Sequence, residues 1–241
     1  MNGKAVFFDS TGILSILLLL AAAATVWDVF KGRRELFDER LTADDRNRLL
    51  RLVVFVLLPL SILLHEAGHA IAVKAFGGEV LSVGFYLYYG YVEHIGNYTP
   101  LEIGIISLAG PLVNVILGLG AFAIAWFKPQ RPPVNYLLFV FCAFELFNAL
   151  VFYPIFDFGG GIAGDFSSIY SSETPAFSAI VGICHLAILA GAAIFWRSPH
   201  YRARYEELTG QRRPRVSGAE RWQMADVLAH AASEAISGWK R

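Results

Sequence analysis

The sequence predicts an all-α, polytopic membrane protein with about five transmembrane helices and a short membrane-associated β-hairpin between the second and the third. Of its 241 residues, 56% are hydrophobic and only 17% are charged, whereas a soluble domain carries about 25% charged residues. The apolar residues fall in blocks, and five blocks have the roughly 20 residues that a helix needs to cross a bilayer. Segment 80–92 is aromatic, β-branched and uncharged, which favours paired strands.

The five apolar blocks are separated by connections that differ in charge. They cover about residues 12–30, 49–76, 101–127, 134–156 and 175–196. Lys and Arg follow the first, third and fifth blocks and are absent from residues 77–100 and 157–174. Because basic loops stay in the cytosol, this bias predicts an amino terminus outside and a carboxyl terminus in the cytosol. The first block is long for a signal-peptide core, so we expect it to remain as a span.

We predict three parts along the chain. Residues 1–48 hold the first span and an Arg-rich cytosolic loop, residues 49–196 hold the core, and residues 197–241 form a cytosolic tail. Helical periodicity in residues 220–239 predicts a short amphipathic helix within that tail. The net charge is zero, which gives no reason to expect a nucleic-acid partner. The two cysteines lie in apolar stretches and predict neither a disulfide framework nor a metal knuckle.

The second apolar block contains His65-Glu66-Ala67-Gly68-His69, an HExxH pattern. Residues four apart share one face of a helix, so His65 and His69 can direct two imidazoles at one zinc ion. Glu66 lies beside them, in the position of a general base. Ionisable residues inside an apolar span are costly and predict a functional site. His65 follows Val53 by about 18 Å of helix, which is near the middle of a hydrocarbon core about 30 Å thick.

A catalytic zinc ion needs a third protein ligand and leaves one position open. Asp157 and Asp165 flank a glycine-rich break, where the backbone can turn tightly and approach other groups. An anionic ligand would also bring the charge of the site close to +1. We expect His185, in the fifth block, to be an interhelical hydrogen-bond donor rather than a ligand. The full set of candidates for the third ligand is Glu145, Asp157, Asp165, His94 and His185.

These motifs resemble those of the site-2 protease family of intramembrane zinc metalloproteases. Members carry HExxH on one transmembrane helix, a GPxxN-type motif on the next, and a later Asn…Pro…Asp-Gly motif that supplies the third ligand. Gly110-Pro111-Leu112-Val113-Asn114 matches the second motif. The third is looser, because Asn148, Pro154 and Asp157 are present but the usual Asp-Gly-Gly is not. The resemblance covers about residues 49–196.

The resemblance also bears on the choice between the two aspartates. Divergent members carry a Gly-Asp-aromatic motif, which Gly164-Asp165-Phe166 matches, so we choose Asp165 as the third ligand. Asp157 remains the alternative, since it keeps the spacing of the family from Pro154. The implied metal centre is one zinc ion per chain, held by His65, His69 and Asp165.

The resemblance implies hydrolysis of peptide bonds within or near transmembrane segments of membrane-protein substrates, with Glu66 as general base. Asn114 would bind the substrate backbone or the developing oxyanion; the alternative is a hydrogen bond between helices. A helical substrate hides its carbonyls, so it must unwind, and the hairpin could pair with the unwound segment. We expect a multi-pass protein of a prokaryotic cell membrane, with the lipid bilayer and transmembrane proteins as partners.

Two other functions fit parts of the sequence. The imperfect third motif motivates a non-proteolytic, zinc-binding membrane scaffold. Intramembrane His and Asp residues would also suit a metal or proton transporter. The sequence has no evident internal repeat, which speaks against common transporter architectures.

Overall fold

The computed structural model describes residues 10–159 and 164–211. The chain divides into two units, Met1–Gly210 and Gln211–Arg241. The tail helix predicted at residues 220–239 and part of the glycine-rich break, residues 160–163, lie outside the described residues. The described elements are α1 (Ser10–Leu36), α2 (Ala43–Ala75), β1 (Glu79–Phe85), β2 (Gly90–Ile95), α3 (Pro100–Phe127), α4 (Pro132–Gly159), α5 (Asp165–Ile169), α6 (Pro175–Arg197) and α7 (Pro199–Thr209).

The predicted fold class is confirmed. The chain is mostly helical, and α1, α2, α3, α4 and α6 are long and apolar enough to cross a membrane, as judged by length and composition. Their order and positions match the five apolar blocks of the sequence. The protein therefore has the make-up of a multi-pass membrane protein.

The connection between α1 and α2 is shorter than the sequence predicts. Several residues of the Arg-rich segment are helical, and only residues 37–42 lie between the two helices. Thr42 and Asp45 form a capping box, in which the Thr42 hydroxyl accepts from the Asp45 N–H at 3.1 Å and the Asp45 carboxylate accepts from the Thr42 N–H at 2.8 Å. This box starts α2 well before the apolar block begins. Arg51 of α2 then contacts Asp28 of α1 at 3.0 Å.

Two of the long helices contain a π-helical turn, a feature that the sequence did not predict. The turns lie at Val53–Leu57 in α2 and Asn148–Phe152 in α4. Such turns disturb the regular i to i−4 hydrogen bonding and occur often at functional sites. The Tyr88 hydroxyl donates to the Val54 carbonyl at 2.6 Å, and His185 Nε2 donates to the Leu150 carbonyl at 2.7 Å. The π turns are therefore where the hairpin and α6 attach, and the interhelical role predicted for His185 is confirmed.

The predicted hairpin is present as an antiparallel pair of β1 and β2. Its register joins Glu79 to Ile95 and Phe85 to Gly90, with a bulge between Val80 and Ser82. The turn between the strands, residues 86–89, holds Leu87 at a φ of 65°. This turn carries Tyr88 to α2 and brings the start of β2 over the HExxH segment.

Small residues let the central helices approach closely. A Cβ atom on Gly68 of α2 would lie 2.8 Å from the Ala109 carbonyl oxygen of α3, and one on Gly118 of α3 would lie 3.0 Å from Cβ of Glu145 on α4. Glycine at such positions permits close helix packing in membrane proteins. The polar residues of α2, α3 and α4 therefore meet inside a compact three-helix core.

The helix α7 lies in the segment that the sequence assigned to the polar tail. Its Leu208 packs with Ala125 of α3 and Phe139 of α4. Asn135 of α4 donates through Nδ2 to the Leu208 carbonyl at 2.9 Å. The first part of the predicted tail is therefore attached to the ends of α3 and α4.

Candidate metal centre

Three side chains that the sequence nominated as metal ligands converge on one point. His65 and His69 lie one turn apart on α2, and Asp165 is the first residue of α5. The Nε2 atoms of the two histidines are 3.0 Å apart. Oδ2 of Asp165 lies 3.2 Å from Nε2 of His65 and 3.3 Å from Nε2 of His69. Among the described residues, these three form the group of His, Cys, Asp and Glu side chains that could hold a metal ion.

Each imidazole is oriented through its other ring nitrogen. Nδ1 of His69 lies 2.7 Å from the Ile106 carbonyl oxygen, and Nδ1 of His65 lies 2.6 Å from Oδ1 of Asn114. Both oxygens can only accept, so in the neutral rings both Nδ1 atoms carry the proton and both Nε2 atoms present a lone pair. This pattern of outer hydrogen bonds is the one that metal-binding histidines use.

The resulting donor set fits a divalent metal ion. Two lone pairs and a carboxylate oxygen face one another at 3.0 to 3.3 Å, and such a group of acceptors is mutually repulsive unless a cation lies between them. Zinc bonds of 2.0–2.2 Å at tetrahedral angles separate neighbouring ligand atoms by about 3.3 to 3.6 Å. The observed separations are close to that range, so the three side chains fit zinc with little movement.

Gly110 of the GPxxN-type motif keeps this space open. A Cβ atom at this position would contact Nε2 of His69 and would lie 2.5 Å from Nε2 of His65. Any larger residue would therefore fill the space into which both imidazole nitrogens point. The motif match alone did not indicate a role for Gly110, and the close approach of α3 to the two histidines accounts for the glycine at this position.

The two candidate aspartates occupy different environments. Asp165 faces both imidazoles, with its Oδ2 atom 3.2 Å from Nε2 of His65 and 3.3 Å from Nε2 of His69. Asp157 does not join the histidines. Its Oδ2 atom accepts a hydrogen bond from the Phe166 N–H at 2.8 Å. The geometry thus favours Asp165, the first choice from the sequence, over Asp157 as the third ligand.

Glu66 lies beside the histidines on the wall of an open cleft. It is 4% exposed, and a Cβ atom on Gly90 of the hairpin would come within 2.5 Å of its Cγ atom. The cleft has a volume of about 600 Å³, and the hairpin, α2, α3 and α4 all contribute to its walls. One cavity is therefore lined by Glu66, by the three candidate ligands and by the hairpin. It is large enough for a peptide segment.

Asn114 has different contacts from those expected for a substrate-binding residue. It is 1% exposed and does not line the cleft. Its Oδ1 faces His65 and its Nδ2 donates to Oε2 of Glu145 at 2.7 Å. Both polar atoms are engaged, so the geometry favours the alternative of hydrogen bonding between helices. His94, another of the candidates for the third ligand, lines the cleft but does not belong to the group that could hold a metal ion.

Three contacts at the site were not predicted from the sequence. The ring of Tyr153 lies 5.6 Å from that of His65, and the Ile106 carbonyl and Glu145 complete the surroundings of the imidazoles. The Ile106 carbonyl belongs to the backbone, so no residue type in the sequence could have indicated it. Glu145 could have been recognised, because it is a carboxylate in an apolar span, but we considered it only as a direct ligand.

No protein-family model matches the chain, and no solved structure matches it. Among curated proteins, the chain is 31% identical over 113 residues to the Synechocystis sp. protein named "Putative zinc metalloprotease sll0528". The match covers 44% of this chain and 30% of that protein. The chain thus spans less than a third of the length of this curated relative, which carries the name of a zinc metalloprotease.

Proposed function

We propose that the chain is an intramembrane zinc metalloprotease of the site-2 protease type. It hydrolyses peptide bonds within or near transmembrane segments of other membrane proteins. The observation that carries the proposal is the convergence of His65, His69 and Asp165 within 3.3 Å beside Glu66, in a bundle of apolar, span-length helices. The similarity to a protein named as a zinc metalloprotease supports the same class of reaction.

His65, His69 and Asp165 would hold one zinc ion per chain. When bound, zinc lowers the pKa of a coordinated water towards about 7 and polarises the carbonyl group under attack. The Nδ1 contacts to Ile106 and Asn114 keep both imidazoles in the tautomer that offers Nε2. As a carboxylate ligand, Asp165 would offset part of the positive charge of the ion.

Glu66 is the general base in this proposal. It follows His65 directly on α2 and lines the same cleft as the three proposed ligands. Its carboxylate accepts a proton from the attacking water and returns that proton to the leaving amine. The hairpin covers Glu66 at Gly90, which restricts the approach of bulk water to the carboxylate from that side.

The proposed substrates are transmembrane proteins that unwind locally at the cleft. A helix uses its carbonyl groups in its own hydrogen bonds, so a scissile bond must first leave the helical conformation. The described sheet has two strands, and each therefore has one edge that no other described strand pairs. An unwound substrate segment would add to such an edge as a further strand, beside Glu66.

The proposed setting is a prokaryotic cell membrane crossed by five helices. The basic residues that follow the first, third and fifth spans support a cytosolic carboxyl terminus under the positive-inside rule. His65 follows Val53, near the start of the apolar part of α2, by about 18 Å of helix. This distance supports a position near the middle of a hydrocarbon core about 30 Å thick.

Cleavage by the purified protein in lipid nanodiscs tests the proposal. The substrate is a single-span membrane protein labelled at both ends, and the products are mapped by mass spectrometry. We expect cleavage within or beside the span, loss of cleavage on zinc chelation, and recovery when zinc is restored. Zinc binding without cleavage of any of a panel of single-span substrates would instead favour the scaffold, and zinc uptake into liposomes would favour the transporter.

A further inference from the structure

Glu145 is a buried carboxylate that the proposed reaction does not use. It lies on the apolar helix α4 and is 0% exposed. Burying a carboxylate away from water is costly unless good partners offset the loss of hydration, and in membrane spans such residues usually have a function. Its Oε2 atom accepts a hydrogen bond from Nδ2 of Asn114 at 2.7 Å. Glu145 therefore acts directly on Asn114 and, through it, on His65.

The amide of Asn114 can fit the same space in two orientations, with opposite effects on His65. With the oxygen towards His65, the amide accepts from the Nδ1–H and leaves a lone pair on Nε2, which is the arrangement observed at 2.6 Å. With the nitrogen towards His65, the amide would donate to Nδ1 and leave the proton on Nε2. That proton would point towards His69 and Asp165. Nε2 would then have no lone pair with which to bind a metal ion there.

His69 does not depend on such a choice. Its Nδ1 atom faces the Ile106 carbonyl, which belongs to the backbone of α3 and cannot exchange an acceptor for a donor. Asn114 can make that exchange by rotating its amide group by half a turn. Of the two imidazoles, His65 is therefore the one whose tautomer needs a further residue to fix it.

Glu145 supplies the missing constraint. The atom that Glu145 presents to Asn114 is its acceptor oxygen Oε2, at 2.7 Å, and this oxygen pairs with the amide nitrogen and repels the amide oxygen. The carboxylate is itself held in place by the close approach of the helices, since a Cβ atom on Gly118 would lie 3.0 Å from Cβ of Glu145. Asn114 is thus left with the orientation that presents its oxygen to His65.

We propose that Glu145 is a positioning residue, which sets the tautomer of His65 by fixing the amide orientation of Asn114. Glu145 does not belong to the group of proposed metal ligands and does not line the cleft. The inference rests on the metal role proposed for His65. The tautomer of His65 can nevertheless be measured in the metal-free protein, which separates a failure of this inference from a failure of the proposed function.

Two variants and one control test the inference. Glu145→Leu removes the carboxylate and its burial cost, so the protein is expected to fold. Asn114→Asp combined with Glu145→Gln reverses the donor and the acceptor, because Asp at 114 offers an oxygen to His65 in either orientation and accepts from Gln at 145. Cys142→Ala is the control for altered packing, since Cys142 is buried one turn earlier on α4.

The measurements are the zinc dissociation constant, by competition with a chromophoric chelator, and the His65 tautomer, by ¹⁵N NMR of the metal-free protein in nanodiscs. Loss of an outer contact of this kind weakens metal binding about 10- to 100-fold, so we expect that loss in Glu145→Leu and recovery to within about 3-fold of wild type in the double variant. The Nδ1–H form of His65 should predominate in wild type, in the double variant and in Cys142→Ala, and should be mixed with the Nε2–H form in Glu145→Leu.

Wild-type affinity together with an unmixed Nδ1–H tautomer in Glu145→Leu would overturn the inference. So would a folded double variant that has lost the Nδ1–H form. If Glu145→Leu does not fold, Glu145→Gln decides, because it keeps the shape of the side chain but can accept from the Asn114 amide as well as donate to it; a mixture of the two tautomers of His65 is then expected, and an unmixed Nδ1–H form would overturn the inference. A wild type that shows the Nδ1–H form but binds no zinc would contradict the proposed function and leave the positioning role intact.

Discussion

The carboxylate of Asp157 accepts a 2.8 Å hydrogen bond from the backbone N–H of Phe166, the residue that follows Asp165. α5 begins at Asp165, and its N-cap residue, Gly164, has no side chain with which to accept from the first turn. Asp157 therefore provides from α4 the acceptor that an N-cap Asp normally provides locally. One aspartate faces the two imidazoles, and the other holds the turn that brings it there.

The two aspartates should consequently respond differently to substitution. Asp165→Asn removes a charged ligand and should reduce zinc in the purified protein to a small fraction of one ion per chain. Asp157→Asn keeps an oxygen that can accept from the Phe166 N–H and should retain nearly full zinc. Asp157→Ala should lose the cap, which lowers the free energy of unfolding by about 0.5–2 kcal/mol. Elemental analysis of the three variants checks this. Full zinc in Asp165→Asn and none in Asp157→Asn would reverse the assignment.

Replacement of Glu66 should separate catalysis from metal binding. Glu66→Gln preserves shape but cannot take up a proton, and general-base catalysis contributes about 100- to 10,000-fold to a rate. We expect cleavage of a co-expressed single-span substrate to fall by at least the lower of these factors while zinc content stays at the wild-type level. Glu173→Gln is the matched control, because Glu173 is exposed on the connection between α5 and α6. Undiminished cleavage by Glu66→Gln would remove Glu66 from the mechanism.

Gly110 offers a steric test of where the metal ion binds. Gly110→Ala places a methyl group against the Nε2 atoms of His65 and His69 and should abolish zinc binding. Gly120→Ala on the same helix is the control, because nothing lies within 4 Å of its Cβ position, and the change should raise helix stability by about 0.5–1 kcal/mol. Isothermal titration calorimetry of the two metal-free proteins with zinc compares their zinc affinities. Equal zinc affinity in both would show that the metal does not bind between the imidazoles.

The hydrogen bond from Tyr88 to Val54 should matter for substrate cleavage but not for the metal. Tyr88→Phe removes a hydroxyl that attaches the hairpin turn to the π turn of α2, and a bond of this kind contributes about 0.5–1.5 kcal/mol. We expect a several-fold decrease in the initial rate of cleavage with unchanged zinc content. Tyr98→Phe is the control, since the Tyr98 hydroxyl donates to the Ile95 carbonyl, which is three residues away in the sequence. An equal decrease in both variants would argue against a specific role for the Tyr88 anchor.

The parts of the structure that the sequence predicted are those encoded locally. The five spans follow from runs of apolar residues, and the hairpin follows from the aromatic and glycine pattern of segment 80–92. The pairing of His65 with His69 follows from the helical repeat alone. Each of these features depends on residues within one element.

The features that depend on distant residues could be predicted only in part. Asp165 meets His65 across 100 positions of sequence, so its choice over Asp157 required a motif resemblance rather than a periodicity. The bond between Asn114 and His65 spans 49 positions, and that between Asn114 and Glu145 spans 31. Which polar atoms meet there depends on how α2, α3 and α4 pack, and side-chain spacing within any one helix carries no information about it.

The ends of the helices were also set by effects that hydropathy does not record. The Thr42–Asp45 capping box extends α2 into the Arg-rich segment. The helix α7 forms from polar residues and is fixed by the contact of Leu208 with Phe139 and by the bond from Asn135. Neither signal resembles an apolar block, although the Thr-x-x-Asp spacing is a readable start signal for a helix.

The most direct test is an anomalous-diffraction map at the zinc edge, from crystals of the wild-type protein grown in lipid with zinc present. We expect one ion per chain, bonded to Nε2 of His65, Nε2 of His69 and a carboxylate oxygen of Asp165, at the 2.0–2.2 Å typical of zinc. An ion bound elsewhere, or a map with no ion between the two imidazoles at saturating zinc, would contradict the proposed metal centre.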